Sequence, residues 1–182
     1  MYGKNFDNRS NGVNGVMKHY ITALVDNKAG VLARISGLFA RRGFNIISLA
    51  VGETNVNAVS RVTIVVEGDN YIADQVTRQL TKLIDVRTVK QLDPENLIQR
   101  ELVLVKVAID PDQRSEIYDL VKIMGCEVVD ISHTTLMIEY DDRTQKVDLL
   151  IDLLSKYEIL ELVRTGAIAL QKGESTIFDE EE

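Results

Sequence analysis

The chain has 182 residues, 45% of them hydrophobic, with 21 Lys and Arg against 28 Asp and Glu for a net charge of -7. The apolar content suffices for one large or two small cores, while the acidic balance, the absence of tryptophan and the lack of a basic tract disfavour nucleic acid, which needs clustered cations against phosphate. A single cysteine, Cys126, excludes an internal disulfide and fits a reducing cytoplasm; no apolar run is long enough to span a membrane, and residues 1–8 resemble neither a signal nor a transit peptide.

Residues 1–16 are rich in Asn and Gly, have no apolar period, and are expected to form a flexible tail. A first domain is expected over 17–92. A buried strand at 19–25 leads through a short loop into an amphipathic helix over 30–42. Val31, Leu32, Ile35, Leu38 and Phe39 share one face of that helix, and Gly43 stops it. Residues 46–52 and 59–67 read as two strands joined by a hairpin through the polar segment 53–58. Asp69 is suited to cap a second helix carrying Ile72, Val76, Leu80 and Leu83 along one stripe, and a strand over 85–91 closes the unit.

After a polar linker over 93–98, the same order returns over 99–172, at a period of roughly eighty residues that marks a duplicated unit. Residues 101–109 form a strand. Asp110-Pro111 supplies a capping acid and a proline for the first helical position, and Ile117, Leu120, Val121 and Met124 form the buried face that follows, up to Gly125. Two strands at 127–132 and 135–140 come next. Asp142 is expected to open a helix with Val147, Leu150, Ile151 and Leu154 in register. A strand near 159–164 precedes a short apolar run at 167–170, and the acidic tail over 173–182 is expected to be a solvated end.

The fold class is therefore α+β, with two tandem ferredoxin-like (βαββαβ) domains, each placing two helices on one face of a four-stranded antiparallel sheet. The opposite sheet faces need another domain or subunit to cover them, which predicts a homodimer or larger assembly. Catalytic signatures are missing. His19 and His133 have no metal-ligand spacing around them, and there is no Walker loop, dinucleotide fingerprint or nucleophile elbow. Nor does any of the acids at 110, 112, 141, 142 and 148 require more than capping or solvation to explain it.

The segment Asp26-Asn27-Lys28-Ala29-Gly30-Val31-Leu32-Ala33-Arg34, followed by Arg42-Gly43-Phe44-Asn45-Ile46, carries the most chemistry. It lies where a strand meets a helix, so the first free amides of the helix and the positive end of its dipole open onto a loop that Gly30 leaves unobstructed. That geometry suits a carboxylate. Asn27 and Asn45 both donate and accept, which suits a zwitterionic amino acid better than a phosphate. On spacing alone the same residues also serve as turn and capping chemistry.

The block over 23–49 resembles the opening of an ACT domain, and within that group the small regulatory subunits of acetolactate synthase, also called acetohydroxyacid synthase. The resemblance continues through Ser60-Arg61-Val62-Thr63-Ile64, residues 79–86, Arg100-Glu101-Leu102-Val103-Leu104-Val105-Lys106-Val107 and Arg164-Thr165-Gly166-Ala167-Ile168-Ala169-Leu170, most of the chain. It implies that the first domain is an ACT domain paired side by side with that of a second copy. An effector carboxylate would then sit on the amides of Gly30, Val31 and Leu32, and Asn27 would fix its polar end. Asn45 and the Ile46 backbone of the neighbouring subunit would close the pocket and hold the ammonium. Lys28-Ala29 departs from the Asp-x-Pro-Gly form common in other ACT domains. The resemblance further implies a large catalytic subunit as partner, carrying thiamine diphosphate, magnesium and FAD. This chain, with no site for those cofactors, would activate it and confer feedback inhibition by a branched-chain amino acid, valine foremost.

The second repeat does not copy the loop. Its Asp110-Pro111-Asp112-Gln113 adds acids that repel a carboxylate and a proline that removes a donor. Two rivals share the fold. A stand-alone tandem ACT sensor acting on a transcriptional regulator would have the same loop, whereas an RNA-recognition domain would need exposed aromatic rings on its middle strands and surrounding positive charge.

Overall fold

The computed structural model describes residues 17–178; the tail expected over 1–16 and the last four acidic residues lie outside the described residues. Two βαββαβ units follow one another, as the repeat requires. The first consists of β1 (Met17–Asp26), α1 (Val31–Arg42), β2 (Ile46–Glu53), β3 (Val59–Gly68), α2 (Asn70–Leu80) and β4 (Val86–Leu92). Its sheet has the order β2-β3-β1-β4, all antiparallel. Ile21, Ala23 and Val25, every second residue of β1, point to the helices and pack with Ile35, Phe39, Ile64 and Val76. Asp69 caps α2 as expected, its carboxylate accepting from the Ile72 amide at 2.9 Å.

The second unit consists of β5 (Leu97–Ala108), a 3-10 turn (Pro111–Gln113), α3 (Arg114–Met124), β6 (Glu127–Ile131), β7 (Thr135–Asp142), α4 (Thr144–Leu154), β8 (Ile159–Arg164) and β9 (Ile168–Gln171). Val103, Val105 and Val107 meet Ile117, Val121, Leu150 and Leu154 in its core. Cys126 packs against the edge of that core, and burial pushes its thiol up to about 11, so it is an inert filler rather than a nucleophile. His19 is a buried structural residue. Its Nε2 donates to the Gly68 carbonyl at 3.1 Å and its Nδ1 accepts from Gln91 at 3.2 Å.

Four local readings differ from the sequence pattern. Residues 97–98, expected in the linker, open β5, because Leu97 and Ile98 pair with Gln171 and Leu170 of β9. Proline at 111 starts a 3-10 turn, and the α-helix begins only at Arg114. Asp142 does not open α4: it ends β7, with its carboxylate accepting from the Arg143 amide at 2.7 Å and from the Tyr140 hydroxyl at 3.1 Å. Residues 173–178, expected to be part of a solvated tail, instead continue the apolar run at 167–170 along the outer face of the first sheet. Ala167 and Ala169 pack there with Tyr20, Val65 and Leu92, and Ile177 packs with Leu24 and Val59. Lys90 fixes this strap through Ser175 Oγ at 2.9 Å and the Thr176 carbonyl at 2.7 Å.

Candidate functional site

Gly30 precedes α1 at φ 86°, ψ -9°, a left-handed conformation that an L side chain reaches only at a cost of about 1–2 kcal/mol. The chain therefore turns sharply out of β1 and presents the first turn of α1 to solvent. Val31 N–H bonds loosely back to the Lys28 carbonyl at 3.4 Å, and Arg34 N–H makes the first helical bond, to Gly30 at 3.0 Å. The Leu32 and Ala33 amides between them precede the helical ladder and have no intrahelical partner. Asn27, Gly30 and Leu32 are exposed, whereas Val31 is buried under the helix.

Charged groups ring this corner. Arg34 pairs with Asp85 at 2.6 Å, and a Cβ built on Gly30 would lie 3.4 Å from its guanidinium, so a cation borders the amide dock. Asp26 holds Lys28 at 2.6 Å and Arg87 at 2.7 Å, and their hydrogen bonds keep its carboxyl below the usual range. The Asn27 amide donates to Glu53, at the far end of β2, at 3.0 Å. Sequence reasoning included Arg34 in the most informative stretch but gave it no role, and it did not single out Glu53. Arg34 was readable in principle, since a side chain one turn into a helix leans back over its N-terminus. Glu53 was not, because only the fold of the hairpin returns it to the loop.

Asn45 and Ile46 lie at the opposite end of α1, about 18 Å away by helical rise. One chain thus keeps the two groups of candidate residues apart. Asn45 is exposed and Ile46 half-buried at the start of β2. The corresponding corner of the second domain is closed on itself: Gln113 Oε1 accepts from the Asp110 amide at 3.2 Å, and Gln113 N–H bonds to the Asp110 carbonyl at 3.0 Å.

A cleft of about 330 Å³ also opens between the two domains, lined by Ser48, Leu49, Gly166 and Ala167 among others but by none of Asn27, Gly30, Asn45 and Ile46. Its charges are matched internally. Arg164 grips Glu101 through two bonds of 2.8 Å and Asp148 through a third of 2.8 Å. Burial acts to raise the Glu101 pKa, but hydrogen bonds and charge from Arg164, helped by Thr144 and Lys18, outweigh it and hold the carboxyl below its ordinary range. A lowered folded-state value means stability that is fully present above the unfolded glutamate pKa and is lost as pH falls through the folded one. Glu101→Gln is therefore expected to cost about 2 kcal/mol at pH 7, or roughly 5 °C in melting temperature. The gap from the parent should shrink towards zero on acidification. A gap that does not shrink as the pH falls through the acidic range would contradict the ion-pair account.

Among the described residues no helix is long and apolar enough to cross a membrane, and no group of three or more His, Cys, Asp or Glu could hold a metal ion.

Comparison with known proteins bears on the same two domains. Residues 21–88 match the AHAS small subunit-like ACT domain, and residues 100–173 match the family described as the small subunit of acetolactate synthase. The chain is 48% identical over 157 residues to the "Probable acetolactate synthase small subunit" of Archaeoglobus fulgidus, covering 86% of this chain and 98% of that one. It is 42% identical to the acetolactate synthase small subunit of Bacillus subtilis, over 86% of this chain and 92% of that one. The crystal structure of the small subunit from Thermotoga maritima superposes with a TM-score of 0.82 at 38% identity, covering 88% of this chain and all of that one. The chain belongs to the family of acetolactate synthase small subunits, the regulatory subunits of that enzyme, and its first domain is an ACT domain of their kind.

Proposed function

We propose that this chain binds the catalytic subunit of acetolactate synthase, raises its activity, and makes it subject to feedback inhibition by valine held between the ACT domains of two copies. Thiamine diphosphate, magnesium and FAD belong, in this reading, to the catalytic subunit. The observation that carries it is the hydrogen bond between Asn27 and Glu53. It ties the Gly30 loop to the end of β2, and β2 is an edge strand of its sheet, with Ile47, Leu49 and Val51 exposed along it. An unpaired apolar edge invites a partner strand. If two copies pair antiparallel along β2, the start of one strand meets the end of the other, which brings the second copy's Asn45 and Ile46 beside Asn27, Glu53 and Gly30. The two separated groups of residues become one pocket, and homodimerisation is then a condition for binding.

In that pocket the effector carboxylate lies on the Gly30, Val31 and Leu32 amides, beside the Arg34 guanidinium. The ammonium is held by Asn45, the Ile46 carbonyl and the polar side of Asn27. Because two chains build the site, ligand and subunit arrangement are linked, and valine shifts the assembly only by its difference in affinity between arrangements. The test is co-purification with the catalytic subunit together with calorimetry using valine, leucine and isoleucine. The expected result is a complex of raised activity and strongest binding of valine, with neighbours weaker by about 1–3 kcal/mol. Binding of valine without any complex would instead favour the stand-alone sensor.

A further inference from the structure

Gly166 and Ala167 cross β2 at contact distance. A Cβ built on Gly166, which has φ +78°, would lie 2.6 Å from Ser48 Oγ and 3.5 Å from the Leu49 carbonyl oxygen. The Ala167 amide donates to Ser48 Oγ at 2.9 Å, a part-buried bond joining residues 119 apart in sequence. Immediately upstream the chain is clamped to the second domain. Thr165 N–H bonds to the Leu102 carbonyl at 3.0 Å, Leu102 N–H bonds to Thr165 Oγ1 at 3.1 Å, and Arg164 holds Glu101 and Asp148. Immediately downstream, Ala167 and Ala169 are buried on Tyr20 and Val65 of the first sheet. The crossing is thus the place where one peptide belongs to both domains.

Ser48 is two residues beyond Ile46, and the pairing of β2 with β3 changes register between them. Ile46 pairs with Val66 on the helix side, while Ser48 pairs with Val65 on the outer side. Without the bulge, Ser48 would face the helices and could not meet the strap. Ser48, Gly166 and Ala167 also line one wall of the cleft between the domains, so the coupling at this crossing rests on the Ser48–Ala167 hydrogen bond and on the close approach of Gly166 to Ser48 Oγ.

We propose that the Ser48–Ala167 hydrogen bond and the Gly166 crossing transmit the state of the effector seam at Ile46 into the second domain. This rests on the effector reading given above and adds the route by which occupancy leaves the ACT domain. Ser48 is a positioning residue: it touches no effector, and acts by tying the start of β2 to the segment that holds Arg164.

The experiment uses the full chain with its catalytic subunit. Valine binding is measured by calorimetry, inhibition by activity, and amide exchange over residues 164–171 with and without valine. Ser48→Ala is expected to bind valine within about twofold of the parent and to activate normally, while the concentration for half inhibition rises by about fivefold or more and the valine-dependent exchange over 164–171 disappears. Ser48→Thr, which keeps the hydroxyl, restores both. Gly166→Ala keeps the hydroxyl but forces the strap away from β2, and is expected to give the same loss of inhibition. Should the parent bind valine, and Ser48→Ala and Gly166→Ala fold and remain fully inhibited, the transmission route is wrong while the effector site stands. Loss of valine binding in Ser48→Ala would put Ser48 in the pocket and also overturn the route. A parent that binds no branched-chain amino acid removes the effector reading and this proposal together.

Discussion

Replacing Gly30 with aspartate is expected to abolish valine binding and feedback inhibition while leaving activation of the catalytic subunit largely intact. Gly30 is the residue whose missing side chain keeps the α1 amides open, and any Cβ there projects towards Arg34. Aspartate tolerates the left-handed region better than most residues, so the strain of about 1 kcal/mol leaves the domain folded. Its carboxylate then competes for the amides and the guanidinium that the effector would use. Two like charges about 4 Å apart near a protein surface repel by about 4 kcal/mol, or roughly a thousandfold in affinity. Gly30→Asn separates the two causes, since it imposes the same strain and similar bulk without charge, and should weaken binding far less. Calorimetry with valine reads both. Parent-like affinity in Gly30→Asp would empty the proposed dock of meaning.

Much of this corner was legible in the sequence because its signals are local. A glycine after Asp26-Asn27 and before an amphipathic stripe marks a strand-to-helix turn, and the alternation of Ile21, Ala23 and Val25 fixes which side of β1 is core. Where the reading failed, the deciding contact was distant or the local signal had two meanings. An acid before a helical stripe can cap the helix or end the preceding strand. At Asp69 it caps α2, whereas at Asp142 the Tyr140 hydroxyl and the Arg143 amide hold it at the end of β7. Likewise Ile177 is a lone apolar residue in a polar stretch, and its burial depends on Leu24 and Val59, more than a hundred residues earlier. Glu53 and Ser48 were missed for the same reason. Their partners, Asn27 and Ala167, are set by sheet register and by the path of the strap, which no local period encodes.

Ending the chain at Gly166 is expected to produce the largest loss of stability, because residues 167–178 complete the first domain. Their removal uncovers Tyr20, Val65 and Leu92 along one part of the outer sheet face and Leu24 and Val59 along another. It also deletes the four residue pairs that join β9 to the start of β5 and the bonds from Lys90 and Thr88 to the strap. The lost apolar burial and hydrogen bonds together amount to about 5 kcal/mol, equivalent to a fall of roughly 10–20 °C in melting temperature for a chain of this size. A shorter truncation at Lys172 keeps β9 and removes only the Ile177 arm, so its effect should be about a third as large. Scanning calorimetry gives the melting temperatures, and binding of a hydrophobic dye reports the uncovered face. A tail that merely trailed in solvent would leave both readings unchanged. The graded loss instead follows if the helix-free side of an ACT sheet must be covered, and if this chain covers much of it with its own C-terminal strap while the outer edge of β2 stays open to a second copy.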